Sequence, residues 1–180
     1  MRIIGGKLKG IRFVPAKGFP SRPTTDFAKE ALFNILINKF EFGNLEVLDL
    51  FAGTGNITLE FASREAGNIT AIDIDFRSIQ YLKSLVKKLE LDDYINVIKA
   101  DSLKFIENHA KSYDIIFVDP PFEETYHLEL VNKIMNSSLL KENGVLVVEH
   151  GKRDKFEEHP NYTQTRRYGG VMFSFFEHIS

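Results

Sequence analysis

From Glu46 to Glu149 the chain alternates short runs rich in β-branched and apolar residues with longer amphipathic stretches, and this pattern constrains the fold more than any other feature. Strands separated by helix-length segments cannot pair as hairpins. They read as βαβ units, which build a mainly parallel sheet covered by helices on both faces. Strands are expected at Glu46 to Leu50, Ile69 to Ile74, Ile95 to Lys99, Asp114 to Asp119 and Gly144 to Glu149. Helices are expected between them, at Asn56 to Arg64, Arg77 to Glu90, Leu103 to His109 and about Tyr126 to Ser138. In the second of these Ile79, Leu82, Leu85, Val86 and Leu89 form an apolar stripe that core packing explains by itself.

Past Glu149 the alternation stops, and Tyr162 to Tyr168, Gly169-Gly170, Val171 to His178 reads as an antiparallel hairpin. Seven strands, mostly parallel and finished by a reversed hairpin, describe the class I methyltransferase version of the Rossmann-like, doubly wound α/β fold. At 180 residues with 43% hydrophobic content, one such core is what the chain can bury.

The segment before this pattern differs in kind. Arg2 to Ile4 and Leu8 to Val14, around Gly5-Gly6, read as a small β-hairpin, and Pro15 to Pro23 as a loop. Either Thr24 or Thr25 can cap a helix from Asp26 to about Phe40, with Phe27, Ala31, Leu32, Ile35, Leu36 and Phe40 at helical spacing. Arg2, Lys7, Lys9, Arg12, Lys17 and Arg22 precede Thr25 with no Asp or Glu among them, although the whole chain carries a net charge of −2. Such a local patch suits nucleic-acid phosphates, for which Arg2, Lys7, Lys9, Arg12 and Arg22 are the candidates. Residues 1–23 are therefore expected to form an RNA-contacting appendage and residues 24–180 the methyltransferase domain.

Absence of cysteine removes disulfides, thiolate metal sites and thiol nucleophiles, including the covalent route to methylation at a ring carbon. The histidines at 109, 127, 150, 159 and 178 show no metal-ligand spacing, so no metal is expected. No stretch reaches the roughly 20 apolar residues of a membrane span, and a cytoplasmic protein is the simplest expectation.

Candidate ligand residues fall at successive strand ends. Val47 to Leu50 runs into Phe51-Ala52-Gly53-Thr54-Gly55, a strand entering a glycine turn that lets a ligand approach uncovered backbone amides. Thr58 stands where a dinucleotide fingerprint has its third glycine, which favours an adenosyl ligand over NAD or FAD. Asp73 ends the second strand, where a carboxylate can accept ribose hydroxyls, and Asp75 can cap the following helix. Asp101 ends the third, where it can accept an adenine amino group, cap the next helix, or both. Asp49, Phe51, Gly53, Gly55, Asp73, Asp101 and Ser102 make up the expected cofactor set, and the expected cofactor is S-adenosylmethionine.

Asp119-Pro120-Pro121-Phe122 ends the fourth strand and carries the expected chemistry. An exocyclic amine on a base is a poor nucleophile because its lone pair is delocalised into the ring. The Asp119 carboxylate and Pro120 carbonyl can accept its hydrogens, two prolines make the turn rigid, and Phe122 can stack on a base withdrawn from its helix. Guanine N2 and adenine N6 both satisfy this arrangement. A non-catalytic RNA-binding assembly factor on the same fold is a third reading.

Over nearly the whole chain these residues resemble the bacterial 16S ribosomal RNA guanine-N2 methyltransferases of the RsmD type. The resemblance rests on Arg2-Ile3-Ile4-Gly5-Gly6 with Lys9-Gly10, on Arg22-Pro23-Thr24-Thr25-Asp26 running into Ala31 to Leu36, on Asp49 to Gly55, on Asp119 to Phe122 and on Arg167-Tyr168-Gly169. It implies S-adenosylmethionine as donor and one guanine of 16S ribosomal RNA as acceptor, presented within a partly assembled small subunit. By motif, Gly53 and Gly55 border the methionine part of the cofactor, Asp73 holds ribose, Asp101 holds adenine, and Asp119 with Phe122 holds the target base. Thr54, Asp73 and Glu65 depart from residues more usual in the family, Glu65 at the point where a helix ends.

Overall fold

A computed structural model describes residues 1–14, 24–121 and 126–179. Its seven strands form one sheet in the order β3-β2-β1-β4-β5-β7-β6. β1 (Glu46–Leu50), β2 (Asn68–Asp73), β3 (Ile95–Lys99), β4 (Tyr113–Val118) and β5 (Leu140–His150) run parallel, and β7 (Val171–Phe176) pairs antiparallel with both β5 and β6 (Tyr162–Tyr168). The Rossmann-like methyltransferase architecture read from the alternation is present, including the terminal hairpin.

The order reverses at β1, between β2 on one side and β4 on the other, so the carboxyl ends of β1 and β4 open onto a crevice. Ligands bind at such a switch point in doubly wound sheets. Helices α2 (Thr58–Ser63), α3 (Phe76–Lys88), α4 (Ser102–Asn108) and α5 (His127–Met135) follow the strands, with limits close to those the periodicity suggests. One core, containing Val47, Phe117, Val145 and Val147, packs under α1 (Asp26–Ile37), α2 and α3. The other, containing Leu48, Ile116 and Val148, packs under α4 and α5. Alternate residues of each central strand thus feed opposite cores, as the pleat requires.

At the N-terminal end one sequence expectation is met with added contacts and another changes. The expected small hairpin is present: Arg2 and Arg12 form an antiparallel bridge, flanked by backbone bonds from Ile3 N to Ile11 O at 3.0 Å and from Phe13 N to Met1 O at 3.1 Å. Gly5 and Gly6 open the hairpin's loop, with Gly6 O accepting the Lys9 amide at 3.3 Å, and they also serve as docking points: a Cβ on Gly6 would fall 1.8 Å from the Ser63 carbonyl oxygen, on a residue whose φ is +73°. The α2 residues explain the docking, because Glu60 accepts the Ile4 and Gly5 amides, at 3.1 and 2.9 Å, and Ser63 Oγ accepts the Leu8 amide at 2.9 Å. These long-range bonds fix the hairpin against α2.

The change is the rotation of α1. Its buried face is Ala28, Lys29, Leu32, Phe33 and Leu36, while Phe27 is exposed. The rotation carries Lys29 into the core, where Nζ donates to Arg2 O (2.6 Å), Asn56 Oδ1 (3.0 Å) and Glu60 Oε2 (3.2 Å). A fully buried ammonium persists only with such a set of acceptors. Arg64 pairs with Glu60 from the other side and lies over the Phe33 ring.

Candidate active site

β1 passes into its glycine turn through Phe51, a non-glycine residue with φ +66°. That conformation is costly for a bulky residue, and such outliers concentrate at functional sites. Gly55, at φ +86°, is in a conformation that favours glycine, and a Cβ there would meet Leu82 Cδ1 of α3 at 2.3 Å. The turn is tied to β2, with the Gly53 amide donating to Asp73 Oδ2 at 2.7 Å and the Ala52 amide to Ile72 O at 2.8 Å. Glycine turn and strand-end carboxylate therefore form one unit.

Asp73 also accepts the Asp75 amide on Oδ1 at 2.8 Å, and burial raises its pKa against the pull of these amides. Asp75 caps α3 through the Ser78 amide, as its position suggests. Asp101 caps α4 by accepting the Lys104 amide at 2.9 Å, and Ser102 is the buried first residue of that helix. Beside Asp73 the side chains of Ile74 and Phe76 are 63% and 55% exposed. An uncovered apolar pair next to a carboxylate, beyond a strand end, matches what the flat face of an adenosyl group needs.

Asp49 lies beneath the turn, almost wholly buried, and accepts from Thr58 Oγ1 at 2.5 Å. Loss of hydration moves its pKa up to about 7. The threonine that replaces a third glycine thus has a visible purpose, since it supplies the donor that a buried carboxyl needs. Asp119 follows β4 with its amide toward Leu50 O at 3.4 Å, and burial together with the charges of Glu149 and Asp49 holds its carboxyl well above the usual carboxylate range. A cavity of about 40 Å³ joins these parts, lined among others by Asp49, Phe51, Gly53, Thr54 and Asp119. A larger hollow of about 380 Å³ lies at the opposite, amino-terminal edge of β2 to β4 and holds none of the residues singled out from sequence as ligand or catalytic groups.

Pro120 is buried and Pro121 exposed, whereas Phe122 lies outside the described residues. So does Arg22. Of the other basic candidates, Arg2 pairs with Asp26 at 2.8 Å and Lys7 with Glu65 at 2.5 Å, both on the surface, while Lys9 and Arg12 are exposed. Thr25, not Thr24, caps α1 by accepting the Ala28 amide at 3.2 Å. Thr24 turns inward instead, and its hydroxyl donates to Glu149 Oε2 at 2.7 Å. Sequence reasoning missed Glu149, although its place at the end of an apolar strand run, like that of Asp119, was the available signal.

The family described as conserved hypothetical protein 95 matches residues 1–177. The ribosomal RNA small subunit methyltransferase D of Escherichia coli K12 is 33% identical over 150 residues, covering 83% of this chain and 74% of its own. That of Buchnera aphidicola from Baizongia pistaciae is 34% identical over 149 residues, covering 83% and 75%. Among solved structures, yhhF of Escherichia coli superposes with a TM-score of 0.85 at 29% identity, covering 98% of this chain and 96% of its own. A hypothetical protein of Thermus thermophilus superposes with a TM-score of 0.83 at 26% identity, covering 98% and 99%. A match of this extent, over a sheet whose strand-end acids and glycine turn coincide with the motifs read from sequence, places the chain in the conserved hypothetical protein 95 family, the RsmD-type methyltransferase family.

Proposed function

We propose that this protein transfers a methyl group from S-adenosylmethionine to the exocyclic N2 amine of a guanine in 16S ribosomal RNA, within an assembling small subunit in the cytoplasm. One observation carries the reading. Asp119 stands at the carboxyl end of β4, at the switch point of the sheet, and lines one cavity with the glycine turn of β1. An acceptor for amine hydrogens and a bend that admits a ligand to the backbone therefore face the same space.

The residues present fit the cofactor. Asp73 with the exposed Ile74 would hold the ribose and adenine side, Asp101 and Ser102 the far edge of the base, and Phe51 to Gly55 with Asp49 the methionine side. Bound there, the sulfonium supplies an electrophilic methyl group and a neutral thioether leaving group. The protein's own part is positioning and charge placement. Asp119 and the Pro120 carbonyl accept the amine hydrogens, which draws the nitrogen lone pair out of conjugation and aims it.

Lys9 and Arg12, with Arg2 and Lys7, offer phosphate contacts on the segment docked against α2. The names of the Escherichia coli and Buchnera relatives support ribosomal RNA of the small subunit as the substrate. The test is a methylation assay on small subunits from cells lacking this protein, followed by digestion to nucleosides. N2-methylguanosine at a single mapped position is expected. N6-methyladenosine would move the acceptor to adenine, and RNA binding without a calorimetric signal from S-adenosylmethionine would make the protein a binding factor.

A further inference from the structure

Glu149, the last residue but one of β5, has 2% of its surface exposed, and the methyl-transfer chemistry described above gives it no task. The β4–β5 ladder pairs Phe117 with Val147 and Val118 with Val148. Phe117 and Val147 share one core, so the next residues on that face of the two strands are Asp119 and Glu149, side by side. Glu149 is also pinned from above. Thr24 Oγ1 donates to its Oε2 at 2.7 Å, and the Thr24 carbonyl in turn accepts from Asn56 Nδ2 at 3.2 Å. On its other flank the ladder partner is the apolar Phe173 of β7, and among the described residues Asp49 of β1 is a further acid near it.

Resting on the amine-methylation reading above, we propose that Glu149 is a positioning residue: fixed by Thr24 beside Asp119, it shares one proton with that residue during methyl transfer. One of the two carboxyls stays ionised and grips the amine, while the other keeps the pair from carrying two adjacent charges in a site with little water. As the N–C bond forms and the S–C bond breaks, the nitrogen becomes cationic and must lose one of its hydrogens as a proton. The carboxyl pair takes that proton and later gives it to water, leaving a neutral methylamino group on the base and a neutral thioether. Burial and the Glu149 charge hold Asp119 well above the usual carboxylate range, and burial lifts Glu149 to about 7 although the Thr24 hydrogen bond works the other way.

The test is a carboxyl-¹³C NMR titration of the full-length protein, wild type against E149Q and D119N, joined to a pH profile of turnover. Glutamine keeps an acceptor for Thr24. E149Q is expected to lower the Asp119 midpoint, D119N to lower that of Glu149, and the acidic limb of the E149Q turnover profile to move to lower pH. Turnover of E149Q at neutral pH is expected to fall by about tenfold with unchanged affinity for S-adenosylmethionine. An Asp119 midpoint unmoved in folded E149Q overturns the proposal, whatever the enzyme methylates. If E149Q does not fold, the Glu149 midpoint in D119N decides in the same way. A coupled titration in wild-type protein that methylates no small-subunit RNA overturns the amine-methylation reading instead, and the task assigned to Glu149 with it.

Discussion

Replacing Lys29 with methionine tests whether the N-terminal segment is part of the fold or an arm attached to it. The ammonium makes three hydrogen bonds, to Arg2 O, Asn56 Oδ1 and Glu60 Oε2, at 2.6, 3.0 and 3.2 Å, with no exposed side-chain surface. A hydrogen bond from a charged donor contributes about 1.5–3 kcal/mol, and deserting one partner of a buried ion pair costs about 3–5 kcal/mol. Two features pull toward the lower end. Arg64 still faces Glu60, and the Ile4 and Gly5 amides still donate to it. Methionine also escapes the desolvation that lowers the pKa of Lys29. The expected loss is about 3 kcal/mol, a large part of the ~5–15 kcal/mol typical of whole domains. Urea unfolding followed by circular dichroism should show the midpoint fall at constant slope. The double replacement Lys29→Met with Glu60→Gln should cost less than the sum of the two singles by about 1 kcal/mol or more. A loss below about 1 kcal/mol in the single variant, with the slope unchanged, would refute the reasoning.

Two other outcomes follow from the same structure. Glu65, just past the end of α2, sits at φ +65°, a conformation that glycine adopts freely, and its pairing with Lys7 is exposed, so Glu65→Gly should raise stability by about 0.5 kcal/mol; a lower melting temperature would show that the Lys7 contact matters more than the backbone. Asp49 has a folded pKa of about 7 against an ordinary value of 3.8, so the native state binds more protons than the unfolded chain between these limits. Its stabilising share is complete below about pH 4 and is lost as the pH rises through 7. Stability of the ligand-free protein should decline over that window, and Asp49→Asn should flatten the decline; equal slopes in the two proteins would contradict the burial argument.

The central strands were legible because burial on both faces writes itself as nearly unbroken apolar runs, as in β1, which matches its expected limits to the residue; the edge strands β3 and β6 match theirs through β-rich composition and, for β6, the Gly169-Gly170 turn. The strand-end acids were legible from their place, since Asp73 and Asp119 close apolar strand runs and Asp101 follows two residues after β3. What escaped notice depends on contacts distant in sequence. Nothing local to Lys29 announces that it will be buried, because its acceptors lie on Asn56 and Glu60 and on the N-terminal segment. Gly5-Gly6 reads as a hairpin turn, and nothing local to it tells that the Ser63 carbonyl also presses against it. Thr24 and Thr25 offer equal caps by sequence, and only Glu149, a strand end far down the chain, separates their tasks.

The strand-end carboxylate of β4 is where the proposed chemistry stands or falls. Asp119→Ala should bind S-adenosylmethionine with the affinity of the unmodified protein by calorimetry and lose about a hundredfold or more of single-turnover methyl transfer to small-subunit RNA. Transfer at an undiminished rate with the alanine in place would contradict the proposal that this carboxylate prepares the accepting amine.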